Sequence, residues 1–173
     1  MFTLVIGGAA SGKSEYAERI VTGLDGPRVY LAAMEPFGPE AEARIARHRA
    51  MRAAKGFGTA ERYTDIGNVP LPDGANVLLE DLGNLTANEM FSPDGRGPEA
   101  ILPGVEALLA RCRHLTIVTN EVFSGGTDYA GDTLRYLEAL GKINCRLAAR
   151  ADRVAEVICG LPQIRKEARD ADT

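Results

Sequence analysis

A mostly parallel α/β sheet with helices on both faces is the fold class this sequence predicts, and three observations predict it. An apolar run over residues 1–6 feeds straight into Gly7-Gly8-Ala9-Ala10-Ser11-Gly12-Lys13-Ser14. This is a GxxxxGK[ST] loop in the strand–loop–helix setting that such a loop requires. Strand-like and helix-like stretches then alternate along the chain, the pattern of parallel strands joined by crossover helices. The strand-like runs are nearly continuous in apolar residues, as strands covered on both faces must be.

The elements follow in order. Residues 2–6 form the first strand. Glycines let the next loop turn its N–H groups inward around an anion, and the helix behind it adds the positive end of its dipole. On that helix Ala17, Ile20, Val21 and Leu24 recur at helical spacing, and Asp25-Gly26-Pro27 ends it. Residues 28–33 read as a second strand, 36–39 as a turn, 40–55 as a helix rich in alanine and arginine, and 62–66 as a short strand. Residues 76–80 make a stronger strand that ends in an acid, and 92–98 make a loop punctuated by proline and glycine. Pro103 is placed to open a helix at its first position, with Val105, Leu108, Leu109 and Cys112 on the buried face. Residues 115–119 are a strand, 132–151 a long helix, and 153–159 a last strand closed by Gly160. The tail from residue 167 is polar.

Composition bounds the rest. The 173 residues, 1–173, read as one domain large enough to bury a core. A net charge of −4 leaves no basic footprint for nucleic acid. Cys112, Cys145 and Cys159 form no CxxC pair, so neither a disulfide framework nor a zinc site is indicated, and each reads as a small buried hydrophobe. The start lacks the basic and cleavage features of a signal peptide, and no run is long enough to span a bilayer, so a cytoplasmic location is expected.

In parallel sheets ligands gather at the carboxyl ends of the strands. That rule puts the glycine loop, Ala32, Ala33, Glu80, Asn120 and Glu121 on one edge. Lys13 is placed to reach the β- and γ-phosphates of a nucleotide, and the Ser14 hydroxyl to ligate Mg²⁺. A second metal ligand comes from the acid after Val77-Leu78-Leu79, where Glu80 and Asp81 both qualify. His48 lies on the apolar side of its helix with Arg49 and Arg52 beside it. Nearby positive charge favours the neutral, nucleophilic imidazole, and the arginines can hold a phosphate. The other reading is a structural histidine on a solvated basic helix. His114 is placed to cap the end of the preceding helix. Asn144 falls on the buried face of the long helix. There it either fixes that helix against the ligand-binding edge or satisfies a loop carbonyl.

Several segments together resemble one family, the bifunctional adenosylcobinamide kinase/adenosylcobinamide-phosphate guanylyltransferases. Residues 7–14 resemble its GGxxSGKS loop, and Val29-Tyr30-Leu31-Ala32-Ala33 its second strand. Arg44-Ile45 with Arg47-His48-Arg49 and Arg52 resembles its RI-x-x-HR-x-x-R signature. Leu78-Leu79-Glu80 with Asn88 resembles its acidic strand, and Val118-Thr119-Asn120-Glu121-Val122 its VTNEVG segment. Gly141, Asn144, Leu147-Ala148, Ala151-Asp152 and Val154 resemble its last helix and strand. The chain also departs from the pattern. Phe57 stands where the family has tryptophan, and Phe123 where it has glycine. Leu137 replaces an arginine, and Cys145 follows Asn144 where glutamine is usual.

The resemblance implies a RecA-like P-loop fold and a homotrimer. It implies phosphorylation of adenosylcobinamide by GTP or ATP, then transfer of GMP from GTP to adenosylcobinamide-phosphate through a guanylylated histidine at position 48. It also implies that Gly7, Gly8, Ala9, Ala10, Ser11, Gly12, Lys13, Ser14, Leu31, Ala32, Ala33, Arg49, Arg52, Glu61 and Glu80 meet the nucleotide. Two other readings of the residues stand beside it: an ATP-dependent small-molecule kinase with no covalent histidine, and a nucleotide-binding regulatory module.

Overall fold

The computed structural model describes residues 1–36, 46, 49–50, 52–123 and 129–168. Among them seven strands form one sheet in the order β3-β2-β4-β5-β1-β6-β7. The strands are β1 (Phe2–Gly7), β2 (Arg28–Ala32), β3 (Phe57–Glu61), β4 (Asn76–Glu80), β5 (His114–Asn120), β6 (Arg153–Ile158) and β7 (Leu161–Glu167). All pair in parallel except β7, which returns antiparallel along β6. The helices are α1 (Lys13–Thr22), α2 (Leu82–Phe91), α3 (Ile101–Leu109) and α4 (Gly131–Arg150). Residues 49, 50 and 52–54 are also helical.

Alternation along the strands divides the core between the two faces. Val5, Tyr30, Leu78 and Val118 pack under α1 with Ala17 and Val21. Leu4, Leu31, Leu79 and Ile117 face the other way and meet Leu82 and Leu85 of α2, Val105 and Leu108 of α3, and Leu140 and Leu147 of α4. Both faces of the central strands are therefore dry, which is why their sequences show little polar alternation. None of the described helices is long and apolar enough to cross a membrane.

The register aligns the functional edge. Ala32 lies opposite both Glu61 and Glu80, and Gly7 lies opposite Asn120. Backbone bonds continue the edge past the strand ends: Ala33 N–H to Glu80 O at 3.1 Å, and Glu121 N–H to Gly7 O at 3.0 Å. β5 stands between the loop-bearing β1 and the acid-bearing β4. Helix α1 packs over β4 and β5 and so carries the end of the loop across that gap.

Several local expectations change. No strand forms at 62–66, where one was expected: β3 is Phe57–Glu61, which pairs along β2, and Ile66–Asn68 is a 3-10 turn. Pro98 opens a 3-10 turn and α3 starts at Ile101, so Pro103 falls inside the first turn of α3 rather than at its first position. α3 is finished by Ala110 and by Arg111, whose side chain bonds the Ala107 carbonyl at 3.2 Å. His114 belongs to β5, not to that cap. Gly160 lies in the turn that ends β6, as expected, but β6 is not the last strand: the chain returns as β7, an exposed strand whose low apolar content hid it from pattern reading. Cys112 is half-buried, whereas Cys145 and Cys159 are exposed rather than buried.

Candidate active site

The glycine loop is built by close contact. A Cβ on Gly7 would lie 2.5 Å from Ser11 Oγ and 2.7 Å from the Val157 carbonyl oxygen, so only glycine fits there. Gly12 caps α1 in the left-handed region at φ 87°, and among the described residues no side chain caps the helix N-terminus. The first amides of α1 are thus available to an anion. The β6–β7 turn buttresses the loop from outside, with Gly160 N–H donating to Ser11 O at 2.8 Å. Lys13 Nζ donates to Gly8 O at 3.1 Å, which holds the ammonium over the loop.

The two acids differ in their hydrogen bonds. Asp81 Oδ1 accepts from Asn84 N–H at 2.7 Å and serves as the N-cap of α2. Glu80 accepts from the Ser14 hydroxyl instead. It also accepts from the Tyr30 hydroxyl, whose proton burial and Glu80 hold in place well above the ordinary tyrosine range. Burial pushes the Glu80 carboxyl up; the Ser14 and Tyr30 hydroxyls oppose this, and the Asp81 and Glu18 charges add to it. A buried acid among like charges, facing a serine hydroxyl, is a hard-oxygen donor set that a divalent cation would relieve. Mg²⁺ takes few protein ligands and completes its shell with water and phosphate, so this set fits it.

Tyr30 joins this acid to the arginine helix. The Arg52 guanidinium lies 3.5 Å from the centre of the Tyr30 ring, and Arg52 is only 8% exposed. Its Nε has no hydrogen-bond partner among the described residues. Arg49, by contrast, points to the edge and pairs with Glu61. Arg49, Ala53, Phe57, Thr59 and Glu61 line a cleft of about 380 Å³. A second ion pair, Lys55 with Glu18, ties the same segment to α1.

The expected residues thus separate into groups. The loop residues Gly7 to Ser14, Ala32, Glu61, Arg49 and Glu80 lie along one edge. Leu31 and Ala33 have no exposed surface. Leu31 packs in the core, and Ala33 is held by Glu80 O and by Asn88 Nδ2, so in this arrangement they shape the edge rather than touch a ligand. Arg52 is stacked inward. His48 lies outside the described residues, as do Arg44, Ile45 and Arg47. Asn88 binds both the Ala33 carbonyl at 2.7 Å and the Tyr63 carbonyl at 3.1 Å, which fixes α2 to the ends of β2 and β3. Asn144 takes the first of its two readings: its Oδ1 accepts from Thr119 Oγ1 at 2.8 Å, locking α4 to the end of β5. The role of Tyr30 escaped sequence reasoning. Its one signal was a hydroxyl inside an otherwise apolar strand.

A glycine loop opening a helix, an acid two strands away and a mostly parallel sheet define a P-loop nucleotide-binding domain. Solved structures agree on the fold. The flagellar accessory protein FlaH from Methanocaldococcus jannaschii superposes with a TM-score of 0.52 at 10% identity, covering 96% of this chain and 78% of that one. A solved ATPase domain gives 0.55 at 13%, covering 97% and 77%. Within that class the chain belongs to the cobinamide kinase / cobinamide phosphate guanyltransferase family, whose model matches residues 3–164. It is 33% identical to the bifunctional adenosylcobalamin biosynthesis protein CobU of Salmonella typhimurium, covering 93% of this chain and 97% of that protein. It is 30% identical to the CobP protein of the same description from Pseudomonas aeruginosa, covering 94% and 95%.

Proposed function

We propose that this protein carries out both family reactions at the described edge: phosphorylation of adenosylcobinamide, and transfer of GMP from GTP to adenosylcobinamide-phosphate. The polyphosphate lies in the loop of residues 7–14, with Lys13 on its outer phosphates. Ser14 and Glu80 are the groups that would hold Mg²⁺, and a cation there would supply charge neutralisation at the phosphates. In guanylyl transfer the His48 imidazole attacks the α-phosphorus. A P–N bond forms, the bond to the bridging oxygen breaks, and pyrophosphate leaves with its charge met by Lys13 and the loop amides. A phosphate oxygen of adenosylcobinamide-phosphate then attacks the same phosphorus, the P–N bond breaks, and adenosylcobinamide-GDP forms. In the kinase step the loop positions the γ-phosphate of ATP or GTP for the acceptor hydroxyl. That reaction rests on alignment and charge neutralisation more than on a strong base.

The observation that carries this reading is the Ser14–Glu80 contact at the mouth of the loop, with the Arg49–Glu61 pair on the neighbouring strand end. Arg49 follows His48 in sequence, and its ion pair with Glu61 holds Arg49 at the end of β3. The homotrimer belongs to the same proposal. Ile158, Leu161 and Ile164 are 46%, 70% and 40% exposed on the outer hairpin, an apolar edge that association would cover.

Incubation with GTP labelled on the α-phosphate, in Mg²⁺ and without acceptor, tests the covalent step. Acid-labile, base-stable label on the wild-type chain and none on His48→Ala is the expected result. Equal labelling of both sinks the assignment, and a diphosphate released only with acceptor present, with no label on protein, points to the plain kinase instead.

A further inference from the structure

We propose that the groove between α3 and α4 is the acceptor subsite, where the corrin macrocycle of cobinamide lies while its side arm reaches the glycine loop. This rests on the function proposed above and goes beyond it by giving the acceptor a place. The groove measures about 1650 Å³, against about 380 Å³ beside Glu61 and about 430 Å³ beside Asp65. Pockets for ordinary small ligands run to about 300–1000 Å³, so the two clefts suit nucleotide-sized groups and the groove suits something larger.

The position is right for an acceptor. Phe123 lines one end of the groove. Its N–H donates to Glu121 Oε1 at 3.0 Å, and Glu121 N–H donates to Gly7 O at 3.0 Å. The groove therefore begins two residues from a bond to the phosphate loop. The lining also matches the ligand's chemistry. Met90, Leu102, Leu137 and Phe123 offer apolar surface for the faces of a macrocycle. Lys142 and Arg146 offer donors and Glu99 and Glu138 acceptors. Peripheral carboxamides, which are neutral and carry both N–H and C=O, need both kinds of partner.

One further coincidence points the same way. Phe123, Leu137 and Cys145 are three positions at which this chain departs from the family pattern, and all three line this groove. Arginine and glutamine would be longer and more polar than Leu137 and Cys145, and glycine smaller than Phe123. The substitutions make the lining more apolar, and they make these three residues the determinants of which corrinoid this protein accepts.

The exposed thiols provide the test, because Cys145 lines the groove while Cys159 sits on the β6–β7 turn and Cys112 is half-buried. The full-length protein is alkylated with iodoacetamide, with and without dicyanocobinamide at a concentration that saturates the change in its visible absorbance, and each thiol is followed by peptide mass spectrometry. The expected result is that Cys145 reacts about tenfold more slowly with the corrinoid present, as a ligand covering the groove requires, while Cys159 is unaffected. An unchanged Cys145 rate overturns the proposal, as does a wild-type protein that does not bind the corrinoid. A second arm uses Cys145→Trp, tolerable on an exposed helix face, which should raise the KM for the corrinoid substrate about tenfold with a smaller change in kcat. An unchanged KM overturns the groove. The reading of function stands or falls separately, on whether the wild-type protein labels with GTP alone.

Discussion

Glu80 accepts hydrogen bonds from two hydroxyls and is nonetheless pushed up by burial, with Asp81 and Glu18 adding to the effect. Its ionised form is therefore a cost in the absence of a cation. The sign follows from linkage: a raised carboxyl contributes no penalty below its unfolded value of 4.5, and the penalty grows as pH rises through the folded value. Glu80→Gln should thus raise Tm by a few degrees at pH 8 without metal, with the gain vanishing below pH ~4. The same substitution should abolish Mg²⁺-dependent labelling by GTP. Thermal scans across pH, set beside the labelling assay, check both halves; a Tm gain that persists at low pH would count against burial as the cause. Tyr30→Phe removes one of the two donors but keeps the ring under Arg52. Expected is a weaker Mg²⁺ response, read as a several-fold higher Mg²⁺ concentration for half-maximal binding of a fluorescent GTP analogue, with little loss of stability.

Among the elements, α4 depends on a polar joint. Thr119 of β5 is fully buried and donates to Asn144 of α4, whose own amide nitrogen has no partner among the described residues. Thr119→Val leaves the whole Asn144 amide unsatisfied in the core and should cost about 1–3 kcal/mol by urea unfolding. Adding Asn144→Leu should restore most of that loss, because replacing both partners removes the unpaired group. A double variant no better than the single would show that the joint does more than satisfy itself. The joint also sets the position of the groove, since Leu137, Gly141 and Cys145 lie on the same helix.

For the whole molecule, the loop and the sheet edge couple ligand binding to stability. GTP with Mg²⁺ at 100 times its Kd should stabilise the fold by about 2.7 kcal/mol. Lys13→Ala should lose most of that gain while keeping the apo Tm, because the Lys13 ammonium makes one partly buried bond to the loop. Assembly is open to a direct measurement. A homotrimer of 18.5 kDa chains would sediment at three times that mass, and Leu161→Lys on the exposed hairpin should shift the protein toward monomer. A single species at 18.5 kDa would remove the trimer from the account.

The apolar strands and the loop of residues 7–14 were legible because they are local. Period, run length and glycine spacing are written in adjacent residues, and they gave five of the seven described strands; no strand forms at 62–66, where one was expected, and β3 lies just before it at Phe57–Glu61. β7 was missed because an exposed edge strand has no apolar pattern to read. The family was legible as a resemblance carried by several segments together, the Arg47-His48-Arg49 and Arg52 signature and the Thr119-Asn120-Glu121-Val122 stretch being its most specific parts. Contacts between residues far apart in the chain were not legible. Only the packing of α1 across β5 brings Ser14 to Glu80 rather than to Asp81. Only the folded sheet turns Arg52 inward onto Tyr30, withdraws Leu31 and Ala33 from the surface, and gathers Phe123, Leu137 and Cys145 along one groove. Each depends on distances that the fold creates between segments tens of residues apart. The sequence names the chemistry these residues can do; the fold decides which of them stand close enough to do it.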